Sequence, residues 1–166
     1  MAVFGIVQKL NAQINHEFYS SNLYLQLSNW CSEHSMNGAA GFLRAMAQGK
    51  VTHMMSVFDY MKQAGGMPVV EQIMVPHKRC NSLEELFHHT LEDYRLRMDS
   101  LAGLVNAARE ANDDATVTFL TSLESRQRQD GLRLRTLLDA VRKAADAGLG
   151  ATQTDRQLTS LMYPVH

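Results

Sequence analysis

Glu17, Lys50 with His53, Tyr94 and Gln127 are polar side chains that interrupt apolar stripes near the middle of four candidate helices. A carboxylate or imidazole on a core face needs a partner to offset the cost of leaving water. Bundles that grip two metal ions set one glutamate on each of two helices and a Glu-x-x-His pair on each of the other two, because residues three apart share a face. Here Glu17 can supply a lone carboxylate, while Lys50-Val51-Thr52-His53 keeps the spacing but carries an ammonium where a carboxylate belongs. Two readings stay open. One is a damaged metal centre. The other is a buried Glu17–Lys50 ion pair in which the lysine replaces a metal's charge, so that losing either partner strands a charge. His53 is a ligand or a hydrogen-bonded core histidine, and Gln127 is a weak ligand or a satisfied core amide. Tyr24, one heptad after Glu17, is read first as a core tyrosine seeking one hydrogen bond and second as a redox-active, catalytic side chain.

These groups share one level only if four long helices hold them there. Leu10, Ile14, Glu17, Ser21, Tyr24, Ser28 and Cys31 follow a three-four spacing that predicts a helix from about residue 5 to 34. After Ser35-Met36-Asn37-Gly38, where Asn37 can cap, Leu43, Met46, Lys50, His53, Val57 and Tyr60 repeat that spacing until Gly65-Gly66. A capping box, Ser82-Leu83-Glu84-Glu85, announces a third helix with Leu83, Phe87, Thr90, Tyr94, Leu101, Val105 and Ala108 on its buried face. Asn112-Asp113-Asp114 breaks the chain before a fourth stripe of Val117, Leu120, Glu124, Gln127, Gly131, Leu134, Leu138 and Val141. A short fifth helix is expected at about 152–163, with Leu158, Leu161 and Met162 as its apolar residues. The second helix is about 39 Å long. The stretch 66–81 can extend to about 53 Å, so it can run the height of a bundle and place the second and third helices parallel. The expectation is one all-α domain over 1–166, with a four-helix bundle at about 5–147.

Composition excludes several classes. Forty-five per cent hydrophobic and 20% charged residues describe a globular chain, and a formal charge of −1 gives no electrostatic footprint for nucleic acid or anionic lipid. No apolar run approaches the roughly 20 residues that cross a bilayer, and the opening residues lack a charged n-region and a small-residue cleavage site, so a cytoplasmic location is expected. Cys31 and Cys80 stand outside any metal-binding spacing and are read as free, packed thiols, leaving oxygen and imidazole nitrogen to hold any metal. His88-His89 point about 100° apart on a helix and are read as solvated. Met46, Met54, Met55 and Met61 fit a packed helix better than a cofactor box.

The segments KLNAQINHEFYSSNLYLQLSNWCSEHSMNGAAGFLRAMAQ at 9–48, THMMSVFDYM at 52–61, SLEELF at 82–87 and TVTFLTSLESRQRQD at 116–130 resemble the bacterial non-haem ferritins along nearly the whole chain. The resemblance implies a ferritin-like four-helix bundle with a long crossover between helices 2 and 3 and a short fifth helix. It also implies twenty-four copies closing into a homo-oligomeric cage, iron (Fe2+/Fe3+) stored as a ferric mineral, and a ferroxidase centre in each subunit. Glu17, His53 and Gln127 stand where that family places metal ligands, Asp130 is a shortened form of another acid, and Tyr24 stands where it places a nearby tyrosine. Lys50 and Tyr94 replace glutamates, and Gly49 and Arg126 replace acids that feed a third iron.

Two ferric ions need anionic bridges, and one glutamate, one imidazole and one amide do not provide them. The resemblance therefore implies slow or absent oxidation at this centre, the pattern of the ferritin B paralogues of enteric bacteria. Val51 offers no sulfur to haem, so no haem is expected, and Gln127-Arg128-Gln129-Asp130 lacks the second Glu-x-x-His of a rubrerythrin or oxygenase. Two further roles fit the same features: a protein that lends labile iron for release or repair, and a non-catalytic subunit co-assembling with an active ferritin.

Overall fold

The computed structural model describes residues 4–76 and 79–163, which form five α-helices: α1 (Phe4–Glu33), α2 (Asn37–Gln63), α3 (Leu83–Glu110), α4 (Asp114–Asp146) and α5 (Ala151–Met162). There are no strands among the described residues, and none of these helices is long and apolar enough to cross a membrane. The fold is an all-α, ferritin-like four-helix bundle with a short fifth helix.

Each predicted break has a local cause. Ser82 caps α3 by accepting from the Glu85 amide at 3.1 Å, and Asp113 caps α4 by accepting from the Thr116 amide at 3.2 Å. Asn112 between them adopts φ 54°, the left-handed region that asparagine tolerates better than most residues. The start of α2 departs from expectation. Asn37 is already the first helical residue, and Met36 precedes it without any side-chain cap. The missing acceptor comes from α5, where the Asp155 carboxylate takes the Gly38 amide at 3.0 Å and the Ala39 amide at 2.7 Å. A carboxylate at a helix N-terminus satisfies free N–H groups and complements the dipole, so one contact caps α2 and docks α5.

The crossover runs along α1. The Val69 amide donates to the Asn11 side-chain carbonyl at 2.7 Å, and the Glu71 amide donates to that of Asn15 at 2.8 Å, one turn further along. At its far end Asn81 and Ser82 line the same cleft as Trp30 and His34, near the end of α1. α2 and α3 therefore begin at one end of the bundle and run parallel, with α1 packed on α2, α3 on α4, and α5 against α2 and α4.

The apolar core is split in two. One cluster, at the α5 end, spans Leu23 to Ala47 and continues through Phe87, Tyr94, Leu134 and Leu158. The other holds Ile6, Leu10, Ile14, Met54, Val57, Leu101, Leu120 and Leu123 at the opposite end. Between Ile14 and Leu23 on α1, Ala47 and Met54 on α2, Tyr94 and Leu101 on α3, and Leu123 and Leu134 on α4, the buried side chains are polar. Met46, Met54 and Met61 pack in the core as expected of a packed helix, whereas Met55 is exposed, because it lies off the stripe.

Candidate metal centre

Four helices deliver the polar layer: Gln13, Glu17 and Ser20 from α1, Lys50 and His53 from α2, Asp93 and Arg97 from α3, and Gln127 and Asp130 from α4. Glu17, Arg97 and Gln127 are wholly buried, and Lys50 is 1% exposed. The layer sorts into two connected groups.

Arg97 organises the first. Its Nε donates to Gln127 Oε1 at 2.8 Å, and its Nη1 donates to Asp93 Oδ2 at 2.6 Å and to Ser20 Oγ at 2.9 Å. The same Nε lies 3.7 Å from Glu17 Oε2. Glu17 Oε1 accepts from Gln127 Nε2 and, at 3.2 Å, from Gln13. The guanidinium is thus enclosed by two carboxylates, an amide and a hydroxyl. Burial works against its charge, but its acidic surroundings, Glu17 and Asp93 among them, outweigh that penalty and raise its pKa above the ordinary value. Tyr94 lies under it, with the guanidinium carbon 5.7 Å from the ring centroid.

Lys50 organises the second group. Its ammonium donates to Asp130 Oδ2 at 3.0 Å and approaches His53 Nδ1 at 3.4 Å. Burial, and after it Arg97, lowers the lysine pKa, while Glu17 and Asp130 oppose that shift. Burial and then Lys50 push His53 down to about 4, so its imidazole is neutral at physiological pH. Asp130 is 26% exposed and forms part of the wall of an open cleft of about 420 Å3 between α2, α4 and α5.

The candidate residues therefore lie at one level, but their partners differ from the sequence reading. The expected Glu17–Lys50 ion pair is not formed: Lys50 crosses to Asp130 on α4, and Arg97 takes the place beside Glu17. Gln127 is a satisfied amide, donating to Glu17 and accepting from Arg97. Tyr24 is fully buried with no hydrogen bond to its hydroxyl, contrary to the one expected; its pKa is raised by that burial. Glu17 Oε2 and Arg97 Nη2 also lack hydrogen bonds. No three carboxylate, imidazole or thiol groups are gathered around a common point among the described residues.

Arg97, Asp93 and Ser20 are the residues that sequence reasoning missed. The signal was a gap: the α3 stripe passes from Tyr94 to Leu101, and the three-four rule requires a member at 97 or 98. A charged residue there demands an acid nearby, and Asp93, one turn earlier, supplies it.

Gly131 gives Tyr94 its place, since a Cβ at that position would collide with the tyrosine ring. Gly131→Ala should therefore destabilise the protein by about 1–3 kcal/mol through overpacking. Denaturant melts of Gly131→Ala and of Gly131→Ala combined with Tyr94→Ala test this: the second change should recover part of the loss, and no loss in the single variant would refute the contact.

Comparisons with known proteins match this architecture. A ferritin-like domain is recognised over residues 7–144. The chain is 54% identical over 162 residues to the bacterial non-heme ferritin-like protein of Escherichia coli strain K12, covering 98% of this chain and 97% of that one. It is 36% identical over 156 residues to the bacterial non-heme ferritin of Escherichia coli O157:H7, covering 94% of each. The solved structure of Chlorobium tepidum ferritin aligns with a TM-score of 0.85 at 29% identity, over 95% of this chain and 93% of that one. With its bundle, crossover and fifth helix accounted for and its sequence matched nearly end to end, this chain belongs to the ferritin family.

Proposed function

We propose that the chain is a subunit of a ferritin-type iron-storage cage of twenty-four copies, and that its internal centre oxidises ferrous iron slowly or not at all. Membership of the ferritin family and the retained bundle support storage. The observation that carries the second half is the position of the Arg97 guanidinium and Lys50 ammonium, each hydrogen-bonded to atoms that would have to bind iron.

Iron is the cargo here, and the residues present do not fit a pair of ions. Gln127 Oε1 is taken by Arg97, Glu17 Oε1 by two amides and Asp130 Oδ2 by Lys50. A ferrous ion would also meet both cations. At 4 Å and an effective dielectric near 20, each unit charge pair opposes entry by about 4 kcal/mol. The ligand set Glu17, His53, Gln127 and Asp130 holds at most one ion in this reading, after Lys50 has swung out. Tyr24, sealed without a hydrogen bond, serves packing rather than electron transfer. An intact framework around a filled centre also supports a second reading, a non-catalytic subunit that co-assembles with an active ferritin.

Anaerobic ferrous titration followed by stopped-flow oxygen addition tests the reading. The expected result is no saturable binding of two ions per chain and no fast oxidation phase at low iron loading, with slow mineral growth at high loading. A rapid phase whose amplitude saturates at two irons per chain would refute it. Mixed cages recovered after co-expression with an active ferritin, combined with no iron uptake by the homo-oligomer, would favour the second reading.

A further inference from the structure

The solvent-exposed groove between α3 and α4 carries a basic frame unrelated to the polar layer. His88 and Arg95 lie seven residues apart on α3, and Arg135 and Arg142 lie seven apart on α4, so each pair occupies one face two turns long. The helices run antiparallel, which sets His88 beside Arg142 and Arg95 opposite Arg135, and all four line one cleft of about 240 Å3.

The two ends of the frame differ. At one end Arg142 is already engaged: its Nη2 lies 2.7 Å from His88 Nε2, and its Nε donates to Glu84 at 3.1 Å. At the other end Arg95 and Arg135 are exposed and make neither an ion pair nor a side-chain hydrogen bond among the described residues. Asp139, which also lines the cleft, pairs with neither. Three guanidiniums against Glu84 and Asp139 leave one positive charge in excess. Two guanidinium forks that share a cleft without an anion repel one another. A tetrahedral oxyanion relieves that repulsion, because its oxygens accept charge-assisted hydrogen bonds from both forks.

We propose that this cleft is a binding site for inorganic phosphate, held between the Arg95 and Arg135 guanidiniums with Arg142 adding long-range attraction. The site is independent of the iron reading, since none of its residues belongs to the polar layer.

Titration of inorganic phosphate into the assembled, iron-free protein in a physiological chloride background, followed by calorimetry, tests it. One phosphate per chain is expected. Arg95→Gln and Arg135→Gln should each weaken binding at least tenfold, and the double variant should abolish it. Arg95→Lys, which keeps the charge but loses the fork, should fall between. Arg44→Gln, an exposed arginine on α2, should bind as the unmodified protein does. These side chains are exposed, and unchanged melting curves will confirm that every variant folds. Absence of saturable binding above the chloride background would overturn the proposal, as would binding that survives the double substitution. A structure of the assembled protein with a neighbouring chain's carboxylate seated between Arg95 and Arg135 would also overturn it.

Discussion

Arg97→Ala should cost about 3–5 kcal/mol of stability, the penalty for leaving a buried charge network without one partner. The substitution strands Glu17 and Asp93, which are 0% and 5% exposed, and also leaves the Gln127 carbonyl and Ser20 hydroxyl without their donor. It opens a cavity as well. Two further variants separate charge from volume. Arg97→Lys retains the cation but cannot reach Gln127, Asp93 and Ser20 at once, so an intermediate loss is expected. Arg97→Met with Glu17→Gln and Asp93→Asn removes charges on both sides and should recover part of the stability lost by Arg97→Ala. Denaturant midpoints of the iron-free protein, compared at one protein concentration because assembly contributes to stability, provide the measurement. A loss below about 1 kcal/mol for Arg97→Ala would mean that the guanidinium is not the centre of this network.

The framework of that network was legible in the residues themselves. Helix ends follow from Ser82, the Asn112-Asp113-Asp114 break and the glycines after α2, and the crossover follows from its length against the height of the bundle. Those features depend on a few neighbours along the chain. The partners within the polar layer depend on something else: which of several acids each cation reaches once four helices have set their rotations. From the sequence Lys50 pairs with Glu17, because α1 and α2 form a hairpin whose inner stripe holds both residues. In the folded bundle α3 competes for the same acid. Its Arg97, hidden in the gap between Tyr94 and Leu101, reaches Glu17 and leaves Lys50 to turn toward Asp130. The cap of α2 was missed for a similar reason, since Asp155 lies more than one hundred residues from the amides it satisfies. Local chemistry gives away a turn; a contact made by a helix packed from a distance does not.

The position of Arg97 also changes what is needed to make the centre oxidise iron. Lys50→Glu alone removes one opposing charge but sets a new carboxylate near Asp130, with the guanidinium still bound to Gln127. At most one ferrous ion should then bind. Lys50→Glu with Tyr94→Glu and Arg97→Gln removes both cations and adds two acids, leaving oxygen ligands from all four helices that can bridge two ions. Each eliminated charge pair is worth about 4 kcal/mol at 4 Å and an effective dielectric near 20. If even part of that appears in the transition state, the initial oxidation rate should rise roughly 100-fold, equivalent to about 2.7 kcal/mol. Stopped-flow oxidation after anaerobic loading should show a phase saturating at two irons per chain in the triple variant only. Removing Gly131's neighbour Tyr94 also frees space, so Tyr94→Ala serves as a control that opens the site without adding a ligand, and it should stay slow. If Lys50→Glu alone matched the triple variant, the guanidinium would be a structural brace with no influence on iron, and the lysine alone would set the chemistry of the layer.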